Sequence, residues 1–227
     1  MQKLSPDAYA ELQLPDQHIE DIMQEYEAKW ILEQTQGCNT ILELGWGSGI
    51  IAKALHNAGK SVLVLDGSRE SCHIAYQHHG IMSMQTMFAD FTTSQIYDCV
   101  IASFVLEHVE NPVDLLLQCG KLAKKLIVVV GNANSYHRQL AVQMGLQPCL
   151  DSLSARDEQV GHYRVYDFAT IKSQLNVTGW TPMHWKGLQF KPLPNSMITN
   201  FDPKLIRAMC EIDVPFECAA NLMIVCK

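Results

Sequence analysis

Ile41-Leu42-Glu43-Leu44-Gly45-Trp46-Gly47-Ser48-Gly49, continuing into Ile50-Ile51-Ala52-Lys53-Ala54-Leu55, decides the fold of this chain. Thr40 to Leu44 is an apolar run of strand length, and the residues from Ile50 to Asn57 follow a helical spacing. Between them glycine stands at three alternating positions. A residue without Cβ lets the backbone turn tightly and lets a ligand approach closely, so this strand, turn and helix place a ligand over Gly45, Gly47 and Gly49. A pyrophosphate site would have the spacing G-x-G-x-x-G, whereas here it is G-x-G-x-G. Glu43, two residues ahead of the turn, would repel a pyrophosphate but would help to hold an amino group or a sulfonium.

Outward from the turn, helices and strands alternate. Ser61 to Leu65 is a second strand that ends in Asp66, an acid placed to accept both hydroxyls of a ribose. A helix over Glu70 to His79 leads to a short strand near Ser83 to Met87. Asp90, in Phe88-Ala89-Asp90-Phe91, follows it and is placed to receive the exocyclic amine of an adenine. Then come a strand over Tyr97 to Ala102, a helix from Pro112 to Ala123 and a strong strand at Leu126 to Val130. Strands separated by helices of this length are crossover units, which predicts a doubly wound α/β sheet with helices on both faces.

The flanks are less regular. Ile19, Ile22, Met23, Tyr26 and Trp30 recur at helical spacing, so an amphipathic helix precedes the first strand. After Gly131 the spacing predicts an inserted helix over Asn134 to Gly145, a polar loop over Gln147 to Gly161, a helix over Asp167 to Val177 and a strand around Trp180 to Trp185. Two prolines make Lys191-Pro192-Leu193-Pro194-Asn195 irregular, and Ala219 to Cys226 closes the chain as a strand. Residues 1–227 thus read as a single domain. Its parts are a helical segment (1–38), a cofactor-binding core (39–130), and an acceptor-side insertion with closing strands (131–227).

These motifs together resemble the class I S-adenosylmethionine-dependent methyltransferases, in particular the group with ubiquinone-pathway O-methyltransferases and other small-molecule enzymes. The resemblance spans Thr40 to Val130 and includes Tyr97-Asp98-Cys99-Val100-Ile101-Ala102-Ser103-Phe104-Val105-Leu106-Glu107-His108-Val109. It implies a seven-stranded Rossmann-like sheet with the last strand antiparallel and a helical insertion after the fifth strand, and S-adenosylmethionine as the cofactor. It also implies that Gly45 and Gly47 lie against the methionine part, that Asp66 holds the ribose, that Asp90 faces the adenine and that the Ser103 backbone lies near the methionyl amine. Glu43, Trp46, Gly49, Gly67, Ser68 and Phe91 complete the expected cofactor-binding set. Trp46 stands where that family more often has a small or polar residue.

Methyl transfer from a sulfonium is an in-line displacement, so the protein must align donor and acceptor and free the acceptor's lone pair. Histidine can take a hydroxyl proton near neutral pH. Three stand on the acceptor side: His108 after the fourth strand, His137 in Asn132-Ala133-Asn134-Ser135-Tyr136-His137-Arg138, and His162 in Gly161-His162-Tyr163-Arg164-Val165-Tyr166. The last two stretches resemble a subgroup in which they flank the acceptor site. Oxygen is therefore preferred over nitrogen as the acceptor atom. A nicotinamide-dependent oxidoreductase and a non-catalytic cofactor-binding protein are the rival readings.

A net charge of −7, with no strong Lys/Arg cluster, argues against nucleic acid as a partner. No apolar stretch is long enough for a membrane span and no signal-peptide pattern opens the chain, so a cytoplasmic protein is expected. Eight cysteines without a C-x-x-C pair read as reduced thiols. Glu107, His108, Glu110 and Asp114 are better explained by helix capping than by a metal, so no metal is expected. A small-molecule acceptor is the expected partner, with a homodimer possible.

Overall fold

The structure is a computed structural model and describes residues 4–227. Seven strands form one sheet in the order β3-β2-β1-β4-β5-β7-β6. They are β1 (Thr40–Leu44), β2 (Ser61–Asp66), β3 (Met82–Gln85), β4 (Cys99–Ser103), β5 (Leu126–Gly131), β6 (Pro182–Leu188) and β7 (Asn221–Cys226). The first five are parallel, and β7 enters antiparallel to both β5 and β6. This is the predicted Rossmann-like arrangement.

The sequence explains why β5 lies in the interior of the sheet, next to the central β4. Leu126 to Val130 is completely buried, as a strand covered on both faces must be. Each such Val or Leu contributes roughly 1.5–3 kcal/mol by leaving water. One face of the sheet packs against α5 (Pro112–Leu122) and α8 (Phe168–Val177), the other against α2 (Gln17–Gln34), α3 (Ile50–Asn57) and α4 (Arg69–His79). Cys99 and Cys226 are buried within strands, and all eight cysteines are free thiols.

Boundaries shift by a few residues: β3 begins one residue before its predicted start, and β6 runs on to Leu188. Four helices among the described residues were not foreseen. The polar stretch after Gln147 contains α7 (Ala155–Gln159), held by a capping box between Ser154 and Asp157, and it follows α6 (Tyr136–Gln143) of the insertion. After Asn195, α9 (Asn195–Ile198) leads to α10 (Pro203–Glu211), whose Ile206 and Met209 pack on Ile19, Ile22 and Met23 of α2. Before α2, the short α1 (Pro6–Ala10) starts at a Ser5 cap. No helix among the described residues is long and apolar enough to cross a membrane.

Candidate active site

The glycine turn stands at the carboxyl ends of β1 and β2, where open α/β sheets bind ligands. The N–H of Gly45 donates to the Leu65 carbonyl at 2.7 Å, tying the turn to the neighbouring strand. Gly47 has φ +52°, and a Cβ there would point into open space. Gly49 differs. Its φ is +70°, and a Cβ on it would fall inside the Trp46 indole. The ring of Trp46 is buried in the core and tilted against His79. The Trp46 side chain therefore belongs to the core, and the third glycine makes room for its own neighbour.

Asp66 grips the turn. Its Oδ2 accepts the Trp46 N–H at 2.8 Å, and its Oδ1 accepts the Ser68 N–H at 2.7 Å. Burial raises its pKa, and these two hydrogen bonds pull against that. Each oxygen retains a lone pair for a ribose hydroxyl. Ser68 caps α4 through Oγ, which accepts the Ser71 N–H at 3.2 Å. Glu43 is buried with Oε2 unpartnered, and desolvation pushes its pKa up to about 8. The hydroxyl of Ser103 is likewise buried without a partner.

Asp90 is exposed on a 3-10 turn, Phe88–Asp90, that Gln118 holds by donating to the carbonyls of Phe88 and Phe91 at 2.7 and 2.9 Å. Phe91, expected at the cofactor, is buried and packs in the core cluster of this sheet face. A cavity of about 610 Å³ lies between this turn and α5, lined by Phe88, Phe91, Val109 and Leu115 among others.

On the acceptor side the three histidines fare differently. His162 places Nδ1 2.9 Å from Oδ1 of Asp157, and its ring meets His108 edge to face at 4.6 Å. Burial opposes the Asp157 charge, but hydrogen bonds from His162 and Ser154 outweigh it and hold the carboxyl below its ordinary range. His137, in the first turn of α6, has a buried Nδ1 without a partner, and burial pushes its pKa well below the usual value. His108 also meets Tyr9 of α1, edge to face at 5.1 Å.

Much of the polar cluster expected at the acceptor is scaffold. Arg138 donates to the Leu150 and Ser152 carbonyls and pairs with Asp157 at 3.1 Å. Arg164 donates to the carbonyls of Leu106, Val109 and Glu110, and so clamps the loop that carries His108. Tyr166 is wholly buried. Glu107 points inward, where Oε1 accepts the Gly131 N–H at 2.9 Å, and Asn111 bonds the side chain of Asp114. Among the described residues no cluster could hold a metal.

The N-terminal segment, unmarked in the sequence as a site element, spans both halves. A Cβ on Gly67 would strike the Pro6 ring, and one on Gly161 would touch Leu4 at 3.8 Å. Asp16 pairs with Arg156 of α7 at 2.9 Å.

A methyltransferase-domain family model matches residues 33–184, more than half of the chain. The chain belongs to that methyltransferase family. A ubiquinone biosynthesis O-methyltransferase of Vibrio parahaemolyticus is 25% identical to this methyltransferase-domain chain over 181 residues, covering 74% of it and 75% of the relative. One from Aliivibrio fischeri is 28% identical over 104 residues, and the match spans only 44% of that relative's length. The fold is shared with magnesium protoporphyrin IX methyltransferase from Synechocystis with bound SAH, at TM-score 0.64 and 16% identity over 91% of this chain and 85% of that one. It is shared too with the 1,6-didemethyltoxoflavin-N1-methyltransferase of Burkholderia thailandensis, at TM-score 0.60 and 14% identity over 90% and 77%.

Proposed function

We propose that this chain transfers a methyl group from S-adenosylmethionine to an oxygen of a small molecule. The observation that carries the reading is the end of β1 and the turn after it: Glu43 has a buried carboxyl oxygen with no partner, and Gly47 has nothing where a Cβ would stand. A cationic, amine-bearing ligand fits there, because a desolvated acid is relieved by a positive charge or a donor. Glu43, Gly45, Gly47 and Ser103 would hold the methionine end, Asp66 the ribose and Asp90 the adenine. The contribution of Trp46, Gly49, Gly67, Ser68 and Phe91 is to shape the walls.

When bound, the cofactor supplies a methyl group activated by a sulfonium. The protein's own chemistry is to place the acceptor in line and to receive its proton. Asp157, ionised, fixes the proton of His162 on Nδ1 and leaves Nε2 with a free lone pair, the arrangement of an oriented general base. That pair favours a hydroxyl acceptor. Nitrogen transfer is the second reading, supported by the N-methyltransferase among the structural neighbours; an amine lone pair would need no base.

Calorimetry against S-adenosylhomocysteine and NAD tests the cofactor. Micromolar binding of the former alone is the expected result, and NAD binding in its place overturns the reading. Transfer of labelled methyl to a panel of hydroxyl and amine compounds then separates the two acceptor atoms and an inactive binding protein.

A further inference from the structure

The far side of the acceptor wall is built by residues beyond the family match. Asn195, at the start of α9, donates through Nδ2 to Asp16 at 2.8 Å and to Glu20 of α2. Its Oδ1 is buried with no partner. Asp16 gives its other oxygen to Arg156. Burial lowers the pKa of Lys191, four residues before Asn195 in the chain, while Glu20 and Asp16 act to raise it. The Tyr136 ring meets Phe190 at 5.8 Å, which fixes the first turn of α6 beside the residue preceding Lys191. At that turn Ser135 is wholly buried with an unpartnered Oγ, and His137 leaves Nδ1 unpartnered. Lys191 is also one of the charges acting on His137.

The chemistry of this set is mixed. Asn195 Oδ1 needs a donor, Lys191 offers donors, and Ser135 and His137 can do either. Its formal charges balance, with Asp16, Glu20 and Asp157 against Arg156, Lys191 and Arg138, and two of them are direct pairs, Arg156 with Asp16 and Arg138 with Asp157. A phosphate or carboxylate would find Asn195 Oδ1 and Glu20 against it, and an apolar ring would leave every buried polar atom unmet. A hydroxyl donates and accepts at one atom. We propose that Lys191, Asn195, Ser135 and His137 recognise a neutral methyl acceptor bearing several hydroxyl groups, and that Lys191 is a specificity-determining residue. This rests on reading the insertion as the acceptor wall.

The test uses the full chain saturated with S-adenosylhomocysteine. The ring signals of His137, identified by their loss in His137→Gln, and the side-chain amide of Asn195 are followed by NMR. Probes are a set of hexoses and inositols, inorganic phosphate, and catechol. Saturable shifts from at least one polyol, with none from phosphate or catechol, are expected. Lys191→Gln should weaken that response roughly tenfold, the loss of one charge-assisted hydrogen bond, with S-adenosylhomocysteine affinity unchanged. Silence towards every polyol, saturable shifts from phosphate or catechol, or a polyol response indifferent to Lys191→Gln, each overturns the proposal. Failure of the wild type to bind S-adenosylhomocysteine sinks the cofactor reading instead.

Discussion

His162 and Asp157 lie 2.9 Å apart, Nδ1 against Oδ1, while Arg138 takes the other oxygen of the same carboxylate. The acid is thus held charged and oriented from two sides, and the imidazole has one defined tautomer. His162→Ala is expected to lower turnover on a hydroxyl acceptor by roughly 10²- to 10⁴-fold, the usual range for a general base, with cofactor affinity nearly intact. Asp157→Asn should also lower turnover, and the pH profile should shift with it. Full turnover from His162→Ala would leave His137 to be tested in the same way. If both keep full activity, the acceptor is already nucleophilic and needs no base.

Gly47→Val should abolish S-adenosylmethionine binding while the chain stays folded. Its φ of +52° strains a branched residue, and the side chain would occupy the open space at the turn. Far-ultraviolet circular dichroism checks the fold and calorimetry the binding. Near-normal affinity would move the cofactor elsewhere.

Asp66→Ala is expected to weaken the cofactor at least tenfold, about 1.4 kcal/mol or more. Two causes act together, because the variant loses ribose hydrogen bonds and also releases the backbone amides of Trp46 and Ser68. Faster amide exchange at those two residues would report the second cause separately.

Tyr9 sets its ring against His108 from outside the family match. An aromatic pair is worth about 0.5–1.5 kcal/mol beyond its buried area. Tyr9→Ala should therefore weaken acceptor binding roughly two- to tenfold, and Tyr9→Phe should restore it. An acceptor KM unmoved by Tyr9→Ala would take the N-terminal segment out of the site.

Glu27 gives stability a pH dependence. Its Oε1 accepts from Gln189 at 3.1 Å and Asn221 at 2.9 Å, Oε2 is buried without a partner, and burial pushes its pKa up to about 8. An unfolded glutamate titrates near its ordinary value of 4.5, so between these limits the folded chain binds the extra proton. The stabilisation is complete below that ordinary value and is lost as pH rises through about 8, at up to about 1.4 kcal/mol per pH unit. Glu43 adds in the same sense. Glu27→Gln should flatten the fall of Tm across this window, and a Tm curve identical to wild type would refute the raised pKa.

The core was legible in the sequence because its signals are local. Strand β1, the glycine turn and α3 announce themselves within eighteen residues, and buried parallel strands such as β5 read as unbroken apolar runs. Side-chain direction was not legible: Trp46 and Phe91 neighbour Gly47 and Asp90 in sequence yet pack in the core. Nor were elements whose reason lies elsewhere in the chain. Five-residue α1 buries no side chain of its own, and α10 is explained only by the α2 face it covers. Asp157 sat in a stretch read as loop, and Lys191 in one read as merely irregular. Their partners arrive from α2, α6 and the Gly161 turn.

The Trp46 indole wedged over Gly49, together with the double grip of Asp66, has a thermodynamic consequence. A turn anchored in the core on one side and tied to two strand ends on the other keeps its shape before any ligand arrives. Preorganisation of this kind removes the ordering cost from association. Nucleoside capture by this edge should then behave as docking onto a rigid surface, with a small loss of conformational entropy. Whatever ordering does accompany the reaction would then fall to the insertion after β5, whose Arg156 is tied to Asp16 ahead of α2 and whose Arg138 is tied to Asp157.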